Sequence, residues 1–185
     1  MPNSNVKPRT LKLAKMALML AVVVACGYVA FPILPPPASY LLFELQDIPI
    51  LIAGLVFGPL GGFAIGAVAI VLRAFILPLP GDYYGVIMHI IAIGTYVLVA
   101  SAIYHRFKTR KWGLVSLIIG GLCMTAAMMP ANIIVTPLFL PMVTVDMVYA
   151  MLLPVLLPFN LLKMAINTAV VFLLYKRLSP FLHKW

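Results

Sequence analysis

A chain of 185 residues that is 64% hydrophobic and only 9% charged, with a mean hydropathy of +1.14, is too apolar for a water-soluble globule, where roughly 45–50% apolar and about 25% charged residues are usual. The composition reads as an all-α integral membrane protein, a single membrane domain over 1–185 with six transmembrane helices and no room for a soluble domain beside them. A net charge of +9 would suggest a nucleic-acid partner in a soluble chain; here its distribution speaks to membrane topology instead.

A short basic tail, about 1–10, leads into a first span at about 11–33. Small residues recur there at Ala17, Ala21 and Ala25, a ridge that lets another helix backbone come close, within this chain or from a partner. Val23-Val24-Ala25-Cys26 after a basic start has the look of a lipoprotein-type signal, but the apolar run continues past Cys26 to Phe31, which argues against cleavage. The connection at 32–48 is proline-rich and holds Glu44 and Asp47, and it reads equally as a lid or a plain connector. A short second span at 48–57 ends in a tight turn at Gly58-Pro59-Leu60-Gly61-Gly62.

The third span, about 61–77, carries Arg73 near one end and is stopped by Pro78 and Pro80. The fourth, about 84–104, carries His89 and, seven residues on, Tyr96. In the fifth, about 113–140, Thr125, Met128, Asn132 and Thr136 fall close to one helical face, with Pro130 expected to kink the helix. The sixth, about 155–178, sets Asn160, Lys163 and Asn167 at i, i+3 and i+7, a polar stripe on an otherwise lipid-compatible helix. At a rise of ~1.5 Å per residue, roughly 20 residues cross an apolar core of about 30 Å.

Eleven of the thirteen basic residues lie in three clusters: Lys7, Arg9, Lys12 and Lys15; Arg106, Lys108, Arg110 and Lys111; and Lys176, Arg177 and Lys184. The four acids, Glu44, Asp47, Asp82 and Asp146, lie in the other connections. The positive-inside rule then places both termini in the cytoplasm. Arg73, His89, Asn132, Asn160 and Lys163 fall in the outer halves of their helices, with Asn167 nearer the middle, as an outward-facing pocket requires, and together with Tyr96 they are the candidate substrate-binding residues. Each has a plainer reading: Arg73 and Lys163 as snorkelling cations, His89 as an interfacial residue, Asn132 and Asn167 as interhelical hydrogen-bond partners, Tyr96 as packing.

No carboxylate falls in an expected span, which removes a proton or sodium relay built on one. No hydrolase motif and no phosphate-binding loop is present, so the expectation is a binding protein, not an enzyme, with energy supplied by another subunit. Cys26 and Cys123 have neither a CxxC pairing nor a His cluster beside them, and no metal or cofactor is expected.

Three stretches carry a family resemblance: FELQDIPILIAGLVFGPLGG at 43–62, GDYYG at 81–85 with GTYVLVASAIY at 94–104, and LPFNLLK at 157–163 with FLLYKRL at 172–178. Together they resemble the substrate-binding S components of energy-coupling factor (ECF) vitamin transporters, especially the riboflavin-type branch. The resemblance implies a multi-pass protein of the bacterial plasma membrane that captures a water-soluble vitamin outside and works with a transmembrane coupling subunit and two ATPases. It implies ligand contacts at Asn132, Asn160 and Lys163, and docking of the coupling subunit on the Ala17-x-x-x-Ala21 ridge. Leu72-Arg73 and His89 depart from the riboflavin pattern. They make the pocket look more cationic, which favours an anionic vitamin such as pantothenate over riboflavin. A self-sufficient facilitator or channel without ATPases is the alternative.

Overall fold

The computed structural model describes residues 8–36, 38, 40–76 and 82–182. In chain order these form α1 (Pro8–Cys26), β1 (Ala30–Pro32), β2 (Leu42–Glu44), α2 (Asp47–Phe57), α3 (Pro59–Ile76), α4 (Asp82–Phe107), α5 (Arg110–Phe139), α6 (Val145–Met151) and α7 (Leu157–Leu182). A π-helical turn over Leu152–Leu156 joins the last two. Lys7, Lys184 and the expected stop at Pro78 and Pro80 lie outside the described residues.

Among the described residues, four helical segments are long and apolar enough to cross a membrane: Pro59–Ile76, Tyr83–Phe107, Arg110–Phe139 and Val145–Tyr175. Helix α2, with 11 residues, is only about 16 Å long at ~1.5 Å per residue. It is nonetheless buried along most of its length, because it runs through the middle of the bundle against α1, α3, α4 and α7.

Helix α1 ends at Cys26, short of the expected end near 33, because the chain there turns into a strand. Ala30–Pro32 pairs antiparallel with Leu42–Glu44, matching Ala30 with Glu44 and Phe31 with Phe43. This small hairpin closes one end of the bundle. Its second strand leads directly into α2, so Glu44 and Asp47 are carried inward rather than left in a free connection.

The α2–α3 turn shrinks to Gly58 alone, whose φ of 91° and ψ of 171° suit glycine and little else. Pro59 then opens α3, where its missing N–H costs nothing. The two helices meet at glycines: a Cβ on Gly62 would stand 2.4 Å from the Gly54 Cα. Backbone cannot yield there as a side chain could. The 30-residue α5 runs on through Pro130 and Pro137. The last span begins at Val145, ahead of the expected start near 155, and absorbs Pro154 in its π turn. A proline cannot donate to the ladder, and a widened turn accommodates that loss.

Gly62→Val tests the α2–α3 contact. The added branches should cost about 1–3 kcal/mol as overpacking and lower the melting temperature of the purified protein by several degrees.

Candidate ligand-binding site

Five ionisable side chains from separate parts of the fold converge beneath the hairpin. Asp47 stands in the first turn of α2, fully buried, where a carboxylate faces the positive end of the helix dipole. Glu44 comes from the end of β2. His89, on α4, lies between them, with Nδ1 2.6 Å from Glu44 Oε2 and Nε2 2.6 Å from Asp47 Oδ1. Lys163 Nζ, on α7, is 3.0 Å from Asp47 Oδ2 and 4.0 Å from Glu44 Oε2. Arg73 Nη1, at the end of α3, is 3.3 Å from Glu44 Oε1.

Carboxylate oxygens only accept hydrogen bonds, so an imidazole held between two of them donates from both nitrogens and carries a positive charge. Two carboxylates thus answer three cations. For Glu44, burial alone would raise its carboxyl, but the neighbouring His89 and Lys163 outweigh that and hold it below the ordinary carboxylate value. Glu44, Asp47 and His89 are also metal-ligating types drawn together. The arrangement suits a divalent ion poorly, since a doubly donating imidazole offers no lone pair and Lys163 already sits on Asp47.

A cavity of about 230 Å³ opens against this cluster. Its charged wall is Glu44, Arg73, His89 and Lys163, and its apolar surfaces include Ile70, Met88, Met128, Leu156 and Phe159. Asn132 and Asn160 supply neutral polar groups from α5 and α7. Each Asn spends one N–H on the carbonyl four residues back, Met128 and Leu156 respectively, both at 2.8 Å. Thr136 Oγ1 donates to Asn132 Oδ1 at 3.4 Å and lies 2.9 Å from the Tyr84 hydroxyl, which fixes the α5 side of the cavity. Among the described residues, Asn160 makes no other side-chain hydrogen bond, so its second N–H and its carbonyl oxygen are unspent.

Of the residues expected from sequence to bind substrate, Arg73, His89, Asn132, Asn160 and Lys163 line this cavity. Lys163 is buried and ion-paired rather than snorkelling. Tyr96 and Asn167 lie behind the wall instead. Tyr96 is fully buried with its hydroxyl 2.8 Å from Thr168 Oγ1, and Asn167 Nδ2 donates to Asp47 Oδ2 at 3.3 Å. Their helical faces are right, but each sits one turn too deep.

The sequence reading missed Glu44 and Asp47, along with Gln46, whose amide lies 3.3 Å from His89 Nδ1. Placing both acids in an outer connection made the pocket look strongly cationic; the hairpin brings them against the cations and removes that premise. A signal was present: two cations buried in apolar helices need counter-charges, and a chain with four acids offers few.

The family described as the substrate-specific component of ECF transporters matches residues 11–175. The riboflavin transporter FmnP of Bacillus subtilis is 28% identical over 185 residues, covering 96% of each chain. The riboflavin transporter RibU of Streptococcus thermophilus is 29% identical over 186 residues, covering 95% of this chain and 86% of that protein. A solved structure of the S component of a bacterial ECF transporter superposes with a TM-score of 0.80 at 28% identity, covering 94% of this chain and 98% of the other. The chain therefore belongs to the substrate-specific S components of ECF transporters, membrane proteins that bind the solute for a transporter and are not enzymes.

Proposed function

We propose that this S component captures riboflavin in the cavity between the hairpin, α4, α5 and α7 and delivers it to an ECF module for ATP-driven uptake. The observation that carries the reading is that every cation of the cavity wall already has a carboxylate partner: Arg73 meets Glu44, Lys163 meets Asp47, and His89 meets both. A flavin is neutral, with a flat ring system for Phe159, Met128 and Leu156 and a hydroxylated side chain. Hydroxyls both donate and accept, so they can bridge paired charges and the unspent amide groups of Asn160. The named relatives, both riboflavin transporters, support the same ligand. Pantothenate was favoured by three cations without counter-charges, and that argument no longer stands.

In this reading α1, α2, α3, α4, α5 and the α6–α7 segment are the six membrane helices, lying in the bacterial plasma membrane with both termini cytoplasmic. The exposed basic turn at Arg106, Lys108, Arg110 and Lys111 then faces the cytoplasm, as the positive-inside rule requires. The cavity, at the opposite end of α4, faces outside. Ala17, Ala21 and Ala25 are all exposed on α1 and form a stripe of small residues, suited to a transmembrane coupling subunit driven by two ATPases.

Titration of the purified protein followed by flavin fluorescence should show saturable riboflavin binding, with no competition from pantothenate. Asn160→Ala should weaken that binding about tenfold, equivalent to about 1.4 kcal/mol. Vesicles holding this chain alone should take up no labelled riboflavin, and uptake should appear when coupling subunit, ATPases and ATP are supplied; uptake by the lone chain would instead identify a facilitator. Asp47→Ala leaves Lys163 and His89 buried beside an empty site and should cost about 3–5 kcal/mol of stability. Asp47→Asn combined with Lys163→Met should melt above the single variant.

A further inference from the structure

Glu44 differs from Asp47 in one respect that bears on ligand choice. Asp47 is sealed behind the cavity wall, whereas Glu44 is part of the lining. One Glu44 oxygen meets Arg73 at 3.3 Å, and the other meets His89 at 2.6 Å and Lys163 at 4.0 Å. A single carboxylate at the surface of the cavity thereby faces all three of its cations. Among the described residues Arg73 has no other carboxylate, and its buried Nε has no hydrogen-bond partner. Without the Glu44 charge, a guanidinium with unspent donors would face the ligand space.

We propose that Glu44 sets the charge selectivity of the cavity: by occupying Arg73 and His89 from within the lining, it reserves the site for neutral ligands and turns away anionic ones. The proposal rests on the riboflavin reading above and adds a residue that determines specificity. An anion entering the cavity meets the carboxylate directly, and it must also compete with that carboxylate for every cation. Guanidinium pairs well with both carboxylate and phosphate, so the cation is suited to an anionic ligand once its present partner is neutral.

Riboflavin and riboflavin 5′-phosphate make a matched pair of probes, since they share ring and side chain and differ in the charged group. Their dissociation constants should be measured for the unaltered protein, for Glu44→Gln, for Arg73→Gln and for the double variant. The unaltered protein should prefer riboflavin by at least tenfold. Glu44→Gln should cut that preference tenfold or more, and the double variant should restore most of it. Arg73→Gln, which keeps the carboxylate, should leave the preference intact or widen it, and it carries the test if Glu44→Gln fails to fold.

An equal loss of affinity for both flavins in Glu44→Gln would mark a merely structural residue and overturn the proposal. So would a narrowed preference in Arg73→Gln. If the unaltered protein binds riboflavin but its preference ignores Glu44, only the selectivity role falls; if it binds no riboflavin, the ligand assignment falls with it.

Discussion

The structure turns on one electrostatic constraint: charges held inside a membrane protein must be matched at close range, because neither lipid nor protein interior solvates them. Asp47 is the centre of that matching. It is fully buried, receives Lys163 from α7, His89 from α4 and the Asn167 amide, and belongs to the first turn of α2. Three polar contacts of this kind tie three helices to one point. Glu44 extends the same network to α3 through Arg73 and anchors the strand that precedes α2.

That network also shapes the cavity. The hairpin cannot lift far from the bundle without separating Glu44 from its cations, so the strand pair and the charged wall of the cavity are held as one structure. On the other side, α5 and α7 contribute asparagines already oriented by bonds to their own helices. In the proposed function, a ligand would meet groups set in place before it arrives, which reduces the ordering cost of binding.

Much of this was legible in the residues themselves. The long apolar runs marked the four helical segments long and apolar enough to cross a membrane, and the i, i+3, i+7 spacing put Asn160, Lys163 and Asn167 on a common face of the last one. Periodicity does not give depth, however, which is why Tyr96 and Asn167 were grouped with the cavity residues although they pack behind them. Glu44 and Asp47 were invisible for a related reason. A short strand pair made from Ala30–Pro32 and Leu42–Glu44 has too little alternation to be read, and only that pairing carries the acids inward. The early start of the last span escaped for want of any rule that lets Pro154 sit inside a helix; a π turn does so.

The central claim is that the ligand enters a site whose charges are already spent on one another. The most direct measurement is a structure of the protein with riboflavin bound. The flavin should lie against Phe159 and Met128 with its polar groups near Asn132 and Asn160, while the contacts of Glu44 with Arg73 and His89, and of Asp47 with His89 and Lys163, stay intact. A flavin bound elsewhere, or those pairs broken so that Arg73 and Lys163 turn to the ligand, would contradict the account.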